Sequence, residues 1–462
     1  MIKKIMSLED TIAAIATPIQ SSGLGVIRVS GTDAVSIVES LFKGKVASLK
    51  RTETHKLQYG WIHDEGDLLD QVLLVVMHAP HSYTKEDVVE IQCHGSPLVL
   101  RAILDLILRH GARLAEPGEF TQRAFLHGRM DLTQVEAVAD LIHATSEVGA
   151  KLAVQQLQGK LFQAIDAVKK QVVSIASVIE ASIEFPEESL ELTKREDCLQ
   201  RLDCVCADLE KMLSRAEQGR QMREGFSVVL IGRPNVGKSS LLNTLLREQR
   251  SIVTSIPGTT RDSIEESLQI QGVAFRLTDT AGIRQTKDLI ETEGIRRTEK
   301  IRDKADLVLL ILDASEKLTE EDQSLISDVE QERTIVVINK KDCLSGKLPE
   351  WYEAISAMES VLISAKFGDG CDDLESCLFE KVTQGRLPQK DEIWITNLRQ
   401  QKAAKNAQAA LRQAREILEH SAGEEFIAVD LRSCLNALGE IVGETTPDDL
   451  LGQIFSEFCI GK

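Results

Sequence analysis

Apolar positions along the chain fall into successive textures. From Met1 to about Leu126, short apolar runs alternate with turn residues. The runs are Ile12 to Ala16, Gly25 to Val29, Val72 to Met77 and Val88 to Cys93, bounded by Thr17-Pro18, Ser30-Gly31, Ala79-Pro80 and His94-Gly95. Runs of this kind between turn signals predict strands. One stretch differs: from about Pro97 to His110, Leu98, Ile103, Leu106 and Ile107 recur near the helical period. The pattern predicts an α+β N-terminal domain over residues 1–126.

From about Leu132 the period becomes helical. Apolar residues recur at Val135, Val138, Leu141, Ile142 and Val148, then at Leu152, Leu157, Leu161, Ile165 and Val172, with no proline before Pro186. A further polar helix is predicted around Leu199 to Leu213, which completes a first helical segment over 127–223. At Phe226 a third texture begins. The strands Ser227 to Ile231, Ala274 to Thr278, Leu307 to Asp313 and Thr334 to Asn339 are almost wholly apolar and alternate with helical stretches. That is the signature of a parallel sheet covered on both faces, here spanning 224–382.

Helical sequence resumes from Ile393 to Glu419. A last helix is predicted at Thr446-Pro447-Asp448-Asp449, with a Thr cap, a Pro in the first turn and acidic residues at the positive end of the helix. Helical sequence on both sides of the α/β segment reads as one all-α domain, 127–223 with 383–462, into which the α/β module is inserted.

Composition narrows the chemistry. The chain has 462 residues, 54 basic and 72 acidic side chains, a net charge of −18, and nine cysteines without any C-x-x-C pair. An odd cysteine count without metal-ligand spacing predicts reduced thiols and a cytoplasmic location. No apolar run reaches the roughly 20 residues that cross a bilayer, so no membrane role is expected. Lys3 and Lys4 are followed by Glu9 and Asp10, which does not read as a secretory signal. Bulk electrostatic coating of nucleic acid requires a basic chain, so a role on RNA calls for a local patch or a second protein.

The candidate chemistry lies in the α/β segment. Gly232-Arg-Pro-Asn235-Val236-Gly237-Lys238-Ser239 follows a strand and opens a helix, as a phosphate-binding loop does. In such a loop backbone N–H groups, continuing through Ser240, close around phosphates. Lys238 reaches the β/γ-phosphates, and the Ser239 hydroxyl ligates Mg²⁺. Asp279-Thr-Ala-Gly282 follows a strand and supplies a Mg²⁺-linked aspartate and a γ-phosphate-sensing glycine. Asn339-Lys340-Lys341-Asp342 ends another strand, and its aspartate matches the N1–H and N2–H₂ edge of guanine. Ser364-Ala365-Lys366 supplies a backbone donor to the guanine O6. The order predicts GTP rather than ATP.

Between these motifs, Pro257-Gly-Thr259-Thr260-Arg261-Asp262 is the switch-like loop, with Thr260 as second Mg²⁺ ligand. Ile283 occupies the position where Ras-like proteins carry the glutamine that orients water, and isoleucine cannot polarise water. Asp288, Glu291 and Glu293 on the following segment are the alternatives for that task.

The whole chain resembles the MnmE (TrmE) family of tRNA-modification GTPases. The resemblance rests on Thr11-Ile-Ala-Ala-Ile-Ala-Thr-Pro18, Gly25-Val-Ile-Arg28-Val-Ser-Gly31, Pro117-Gly-Glu-Phe-Thr-Gln-Arg-Ala-Phe125 and Asp131-Leu-Thr-Gln-Val-Glu-Ala-Val-Ala-Asp-Leu-Ile142. The nucleotide motifs and the closing Cys459-Ile-Gly-Lys462 add to it.

Several expectations follow from that resemblance. A K⁺ site would use Asn235, the Thr254 and Ile256 carbonyls and Thr259. Glu291 would be the catalytic glutamate, acting once the GTPase domains pair around the ion. The N-terminal domain would form a homodimer and bind a tetrahydrofolate one-carbon derivative (5-formyl or methylene) through Arg28, Glu90, Arg129 and Lys462. The FAD-dependent MnmG (GidA) protein would be the partner, with folate supplying carbon and FAD with NADH the redox chemistry. Together they would place an aminomethyl or carboxymethylaminomethyl group on C5 of the wobble uridine (position 34) of certain tRNAs, the RNA being held largely by the partner. Arg129 stands where the family often has lysine, and Ser96 where a second glycine is common. Cys459 reads as part of a tail, without a histidine nearby to activate it. The competing reading is a regulatory or ribosome-assembly GTPase whose flanking domains only bind partners; such a protein needs none of Arg28, Glu90, Arg129 or the Cys459-to-Lys462 tail.

Overall fold

A computed structural model describes residues 10–184, 192–248, 265–279, 302–344, 346–389, 392–420, 423–456 and 458–462. The architecture is multidomain: an N-terminal α+β part, long helices, and a Ras-like α/β part. By compactness the chain divides into two units. One comprises Met1–Ala139, Gln156–Leu202 and Ala409–Lys462, the other Asp140–Gln155 and Asp203–Gln408.

The first unit opens with β1 (Ile12–Ile15), β2 (Ser22–Ser30), α1 (Ala34–Leu41), β3 (Phe42–Gly44), β4 (Lys56–Asp64), β5 (Asp67–Met77), β6 (Val88–Gly95), α2 (Pro97–Arg109), β7 (Arg113–Leu114) and α3 (Glu119–Leu126). Seven strands form one sheet in the order β3-β4-β5-β6-β2-β1-β7. All predicted strands are present. Strand β4 was not legible as an apolar run because its apolar residues alternate with polar ones. Its turn into β5 is Glu65-Gly66, both at positive φ (49° and 107°), the backbone that a tight hairpin requires. One face of the sheet is buried beneath α1 and α2 by Ile27, Val29, Ile62, Leu74, Val76, Ile91, Leu100 and Ile103. On the other face the register aligns Leu57 with Val75, Tyr59 with Leu73, Val75 with Glu90, and Glu90 with Arg28.

The helical stretch is broken into α4 (Leu132–Ile142), α5 (Glu147–Leu157), α6 (Lys160–Glu184), α7 (Leu192–Leu213) and α8 (Ala216–Glu224). The first break falls at Ser146, whose Oγ accepts the amide of Gly149 at 3.0 Å and so caps α5. The second falls at Gly159, at φ 77°.

In the second unit, β8 (Phe226–Ile231), α9 (Lys238–Glu248), β9 (Glu265–Ile270), β10 (Val273–Asp279), β11 (Leu307–Asp313), α10 (Glu320–Asp328), β12 (Thr334–Asn339), β13 (Ser360–Leu362) and α11 (Cys371–Thr383) follow. The sheet runs β13-β12-β11-β8-β10-β9, parallel except for the β9–β10 hairpin. Strands buried on both faces explain the continuous apolar runs: every residue of β11 and β12 is buried.

Three helices complete the chain: α12 (Leu398–His420), α13 (Glu424–Val442) and α14 (Asp448–Ser456). Helix α12 begins five residues later than predicted because Asn397 Oδ1 accepts the amide of Arg399 at 2.8 Å and starts it there. Helix α14 begins at Asp448. The Thr446 hydroxyl just before it donates to the Glu440 carbonyl at 3.4 Å. Within the first unit Phe455 and Phe458 pack against Leu132, Val135 and Val138, which brings the chain's last residues beside β1. Among the described residues no helix is long and apolar enough to cross a membrane.

Candidate functional site

The nucleotide motifs converge at the C-terminal ends of β8, β10, β11 and β12. Such strand ends are where doubly wound sheets bind ligands. After β8 the chain turns sharply through Gly232 (φ 150°), Asn235 (φ 65°) and Gly237 (φ 101°) into α9. A Cβ on Gly237 would lie 2.2 Å from Asn339 Nδ2, so the close approach and the backbone both demand glycine. Lys238 is buried, and its Nζ donates to the carbonyls of Gly232 at 2.7 Å and Arg233 at 2.9 Å. The ammonium is therefore held over the turn by the loop's own backbone. Ser240 is exposed on the first turn of α9, and its carbonyl accepts Thr244 Oγ1 at 3.0 Å.

Ser239 Oγ donates to Asp279 Oδ2 at 2.8 Å, joining the start of α9 to the end of β10. A hydroxyl and a carboxylate this close are hard oxygen donors that fit a Mg²⁺ site completed by phosphate and water. Among the described residues no three His, Cys, Asp or Glu side chains group as metal ligands, and this kind of site needs no such group.

At the end of β12, Asn339 is buried. Its Nδ2 donates to the Val236 carbonyl at 2.7 Å and its Oδ1 accepts the Ala365 amide at 2.9 Å. One side chain thus ties three of the sequence motifs together. Lys340 adopts a left-handed backbone (φ 67°), and its Nζ donates to Asp313 Oδ2 at 2.5 Å. Asp342 is exposed. Its Oδ1 accepts the hydroxyl of buried Ser364 at 2.6 Å, and that hydrogen bond holds the carboxyl below the usual carboxylate range. Lys366 lies over the Phe367 ring, its Nζ 5.0 Å from the centroid.

Thr254, Ile256, Thr259, Thr260, Gly282, Ile283, Asp288, Glu291 and Glu293 lie outside the described residues.

A second cluster of expected residues meets in the first unit. Arg28 Nε and Nη2 are each 2.8 Å from Glu90 Oε1, across the β2–β6 pair. Arg28 Nη1 also donates to the Gly461 carbonyl at 3.3 Å, so the chain's last residues lie at this ion pair. Burial and the positive charge of Arg28 push the Lys462 amine down from its ordinary value. Arg129 Nη1 donates to the Ser82 carbonyl at 3.1 Å. Sequence reasoning missed Tyr83 and Phe120. The guanidinium of Arg28 lies 5.4 Å and that of Arg129 4.8 Å from the centroid of the Tyr83 ring, and Arg28 is 5.6 Å from that of Phe120. The cluster combines one carboxylate, three cations and aromatic faces, which suits a heteroaromatic ring with an anionic tail.

All nine cysteines are free thiols. Cys93 is buried, which pushes its thiol up to about 11, whereas Cys459 is exposed. His94 pairs with Asp70 through Nδ1 at 2.7 Å and through its backbone amide at 2.8 Å, a structural clasp.

Comparison with known proteins places the chain among relatives over its whole length. The family described as "GTP-binding protein TrmE N-terminus" matches residues 11–129, and that described as "MnmE helical domain" matches residues 132–459. The tRNA modification GTPase MnmE of Geotalea uraniireducens is 45% identical over 462 residues, covering 99% of this chain and 100% of the relative. That of Carboxydothermus hydrogenoformans is 42% identical over 460 residues, covering 98% and 100%. Among solved structures, Aquifex aeolicus Era bound to GDP·AlF4⁻ matches 40% of this chain and 66% of its own at 30% identity, with a TM-score of 0.29. The chain belongs to the MnmE/TrmE family of tRNA modification GTPases.

Proposed function

We propose that this GTPase hydrolyses GTP in a K⁺-dependent cycle and, with a flavoprotein partner of the MnmG (GidA) type, modifies C5 of the wobble uridine of certain tRNAs in the cytoplasm. The observation that supports the reading is the joint presence of two clusters: the linked phosphate-loop and base-loop motifs at the ends of β8, β10 and β12, and an Arg28–Glu90 cluster at the chain's last residues. A purely regulatory GTPase has no use for the second.

In the cradle, the turn from Gly232 to Gly237 and the start of α9 at Lys238, Ser239 and Ser240 bind phosphates. Ser239 and Thr260 are the protein ligands for Mg²⁺, and Asp279 orients the Ser239 hydroxyl. Asp342 reads the guanine edge, Asn339 and Lys340 shape that loop, and Ser364, Ala365 and Lys366 close it from the other side. Asn235, whose left-handed backbone turns it out beside the phosphate loop, joins Thr254, Ile256 and Thr259 as the K⁺ site. The ion supplies positive charge against the phosphates. Glu291 orients water in place of the glutamine that Ile283 replaces, with Gly282 sensing the γ-phosphate. Hydrolysis drives a conformational cycle and does not itself form the new bond on RNA.

In the first unit, Glu90 accepts from the 2-amino and N3–H donors of a pterin, while Arg28, Arg129 and Lys462 hold the anionic glutamate tail. The Tyr83 ring beside Arg28 and Arg129 supports this assignment by offering a stacking face. Bound folate supplies the one-carbon unit. A homodimer is supported by the open sheet face, where Leu57, Tyr59 and Leu73 are exposed on the same side as Arg28 and Glu90. Domain limits of 1–126, 127–223 with 383–462, and 224–382 follow from the same reading. The net charge of −18 fits a subunit whose partner holds most of the RNA.

The test is GTP hydrolysis by the full chain in KCl and in NaCl at equal ionic strength. A sharp loss in NaCl is expected, and equal rates contradict the K⁺-dependent cycle.

A further inference from the structure

Among the described residues of the nucleotide-binding unit, one segment touches both the phosphate loop and the base loop through charged side chains. At one end, Arg233 follows the first glycine of the loop. Its carbonyl accepts Lys238 Nζ at 2.9 Å, so its backbone helps aim the phosphate-binding lysine. Its guanidinium lies between two carboxylates. Nη2 donates to Glu316 Oε2 at 2.6 Å, and Nε lies 3.3 Å from Asp322 Oδ2. The Asp322 side chain is 3% exposed, and neither its Oδ1 nor Arg233 Nε has a hydrogen-bond partner, so this end of the contact is a close ionic approach rather than a hydrogen bond. Asp322 is itself fixed by a reciprocal cap with Thr319. Oδ2 accepts the Thr319 amide at 3.0 Å, and Thr319 Oγ1 accepts the Asp322 amide at 3.2 Å. Trp351 Nε1 donates to the Glu316 carbonyl at 2.8 Å and anchors the middle of the segment.

At the other end stands Asp313, the last residue of β11, with its side chain 3% exposed. Oδ2 accepts Lys340 Nζ, while Oδ1 accepts the Ser315 amide at 2.9 Å and the Ser315 hydroxyl at 2.6 Å. Burial alone would raise this carboxyl. The hydrogen bonds from Lys340 and Ser315 outweigh it and hold the group below the usual range, so it is ionised at neutral pH. Lys340 needs such an anchor, because its left-handed backbone is unfavourable for a residue with a side chain. Two residues later comes Asp342, so the backbone that Asp313 steadies is the backbone that aims the guanine-reading carboxylate.

We propose that Asp313 and Arg233 are positioning residues for guanine nucleotide binding, and that the segment from Asp313 to Asp322 is an ionic brace holding the base loop at one end and the phosphate loop at the other. This rests on the assignment of those two loops made above. Neither residue need touch the nucleotide: the brace preorganises the cradle, so the cost of ordering it is met on folding rather than on binding.

The test measures affinities of the full chain for GDP, GTP and ITP, the last lacking the exocyclic amine of guanine, together with KM and kcat for GTP and the melting temperature. For Asp313→Asn, GDP affinity should fall by about tenfold, as for the loss of a charged hydrogen bond, with the preference for GTP over ITP narrowed. Arg233→Met should weaken GTP and GDP by about fivefold while keeping the GTP-to-ITP ratio, and Arg233→Lys should recover most of that loss. In both brace variants KM should move more than kcat. A merely structural role lowers the melting temperature and leaves the GTP-to-ITP ratio at its wild-type value, so an unchanged ratio in Asp313→Asn overturns the base-loop end. Wild-type affinity in Arg233→Met overturns the phosphate end, and if Asp313→Asn does not fold, an unchanged GTP-to-ITP ratio in Ser315→Ala, which removes a hydrogen bond to Asp313, overturns the base-loop end. Asp342→Asn is the control for the underlying assignment: if it keeps the guanine preference, the base loop is wrongly assigned and the brace falls with it.

Discussion

Asn339 donates from Nδ2 to the carbonyl of Val236 at 2.7 Å, joining the end of β12 to the middle of the phosphate loop. The same side chain accepts the Ala365 amide, so one buried amide group joins the loop after β8, the end of β12 and the Ser364-Ala365-Lys366 turn. Asn339→Ala leaves two buried backbone groups without partners, each costing about 1–3 kcal/mol. The nucleotide-binding unit should lose about 2–4 kcal/mol in urea unfolding, with weaker GDP binding in proportion. A loss within the range of a neutral surface substitution would contradict the assignment.

Gly237→Ala tests the same junction from the other side. The new Cβ would meet Asn339 Nδ2 at 2.2 Å, and φ of 101° disfavours any side chain. The Asn339 hydrogen bonds must break or the loop must move. GDP and GTP affinity should both fall by about tenfold or more in equilibrium binding, since strain of about 1–3 kcal/mol is added at the cradle itself.

If Asp342 reads the guanine edge as proposed, Asp342→Asn should shift preference from GTP toward xanthosine triphosphate in competition binding. The pH dependence has a definite sign. The hydrogen bond from Ser364 holds the Asp342 carboxyl below its ordinary value. Guanine binding should therefore persist as pH falls through the ordinary carboxylate range and be lost only below it. Removing the donor with Ser364→Ala should move that loss to higher pH, and GDP affinity titrated downward from neutral pH checks it.

Much of this was legible from the chain alone, and the reasons are physical. The sharp turns at Gly232 and Gly237 admit few residues, and the hydrogen bonds of Asn339 and Asp342 need particular side chains, so these positions mark themselves in the sequence. Strands β11 and β12 are buried on both faces and read as apolar runs, whereas β4 alternates apolar with polar residues and does not. Arg233, Glu316 and Asp322 could not be read as a unit, because isolated charges look like solvated surface until folding brings them together. Tyr83 went unnoticed for the same reason: its role depends on Arg28 and Arg129 converging on one ring.

Lys462 gives the folate assignment a signature of its own. Burial and Arg28 lower its pKa, so the folded chain binds fewer protons there than the unfolded chain. Below the lowered value the charged amine costs stability, and stability should recover as pH rises toward the ordinary lysine range. Lys462→Met should remove that rise. An anionic folate tail should draw the proton back, so binding near the lowered value takes up protons, which calorimetry in buffers of different ionisation enthalpy detects. Proton release on binding would contradict the placement of the tail at Lys462.

Glu291→Ala separates binding from catalysis. GTP affinity should stay near wild type while kcat in saturating KCl falls by about 10² or more, as for loss of a water-positioning group. A normal rate would assign that task to another residue of the segment.

The most direct test of the central claim is reconstitution. The purified chain is mixed with the flavoprotein, tRNA, a tetrahydrofolate one-carbon donor, GTP, NADH and K⁺, and the wobble uridine is analysed by mass. The account predicts added mass at that uridine, abolished by Glu291→Ala and by Arg28→Ala, the first by stopping the GTP cycle and the second by removing the folate site. Undiminished modification in both variants, or none with the wild-type chain, would contradict it.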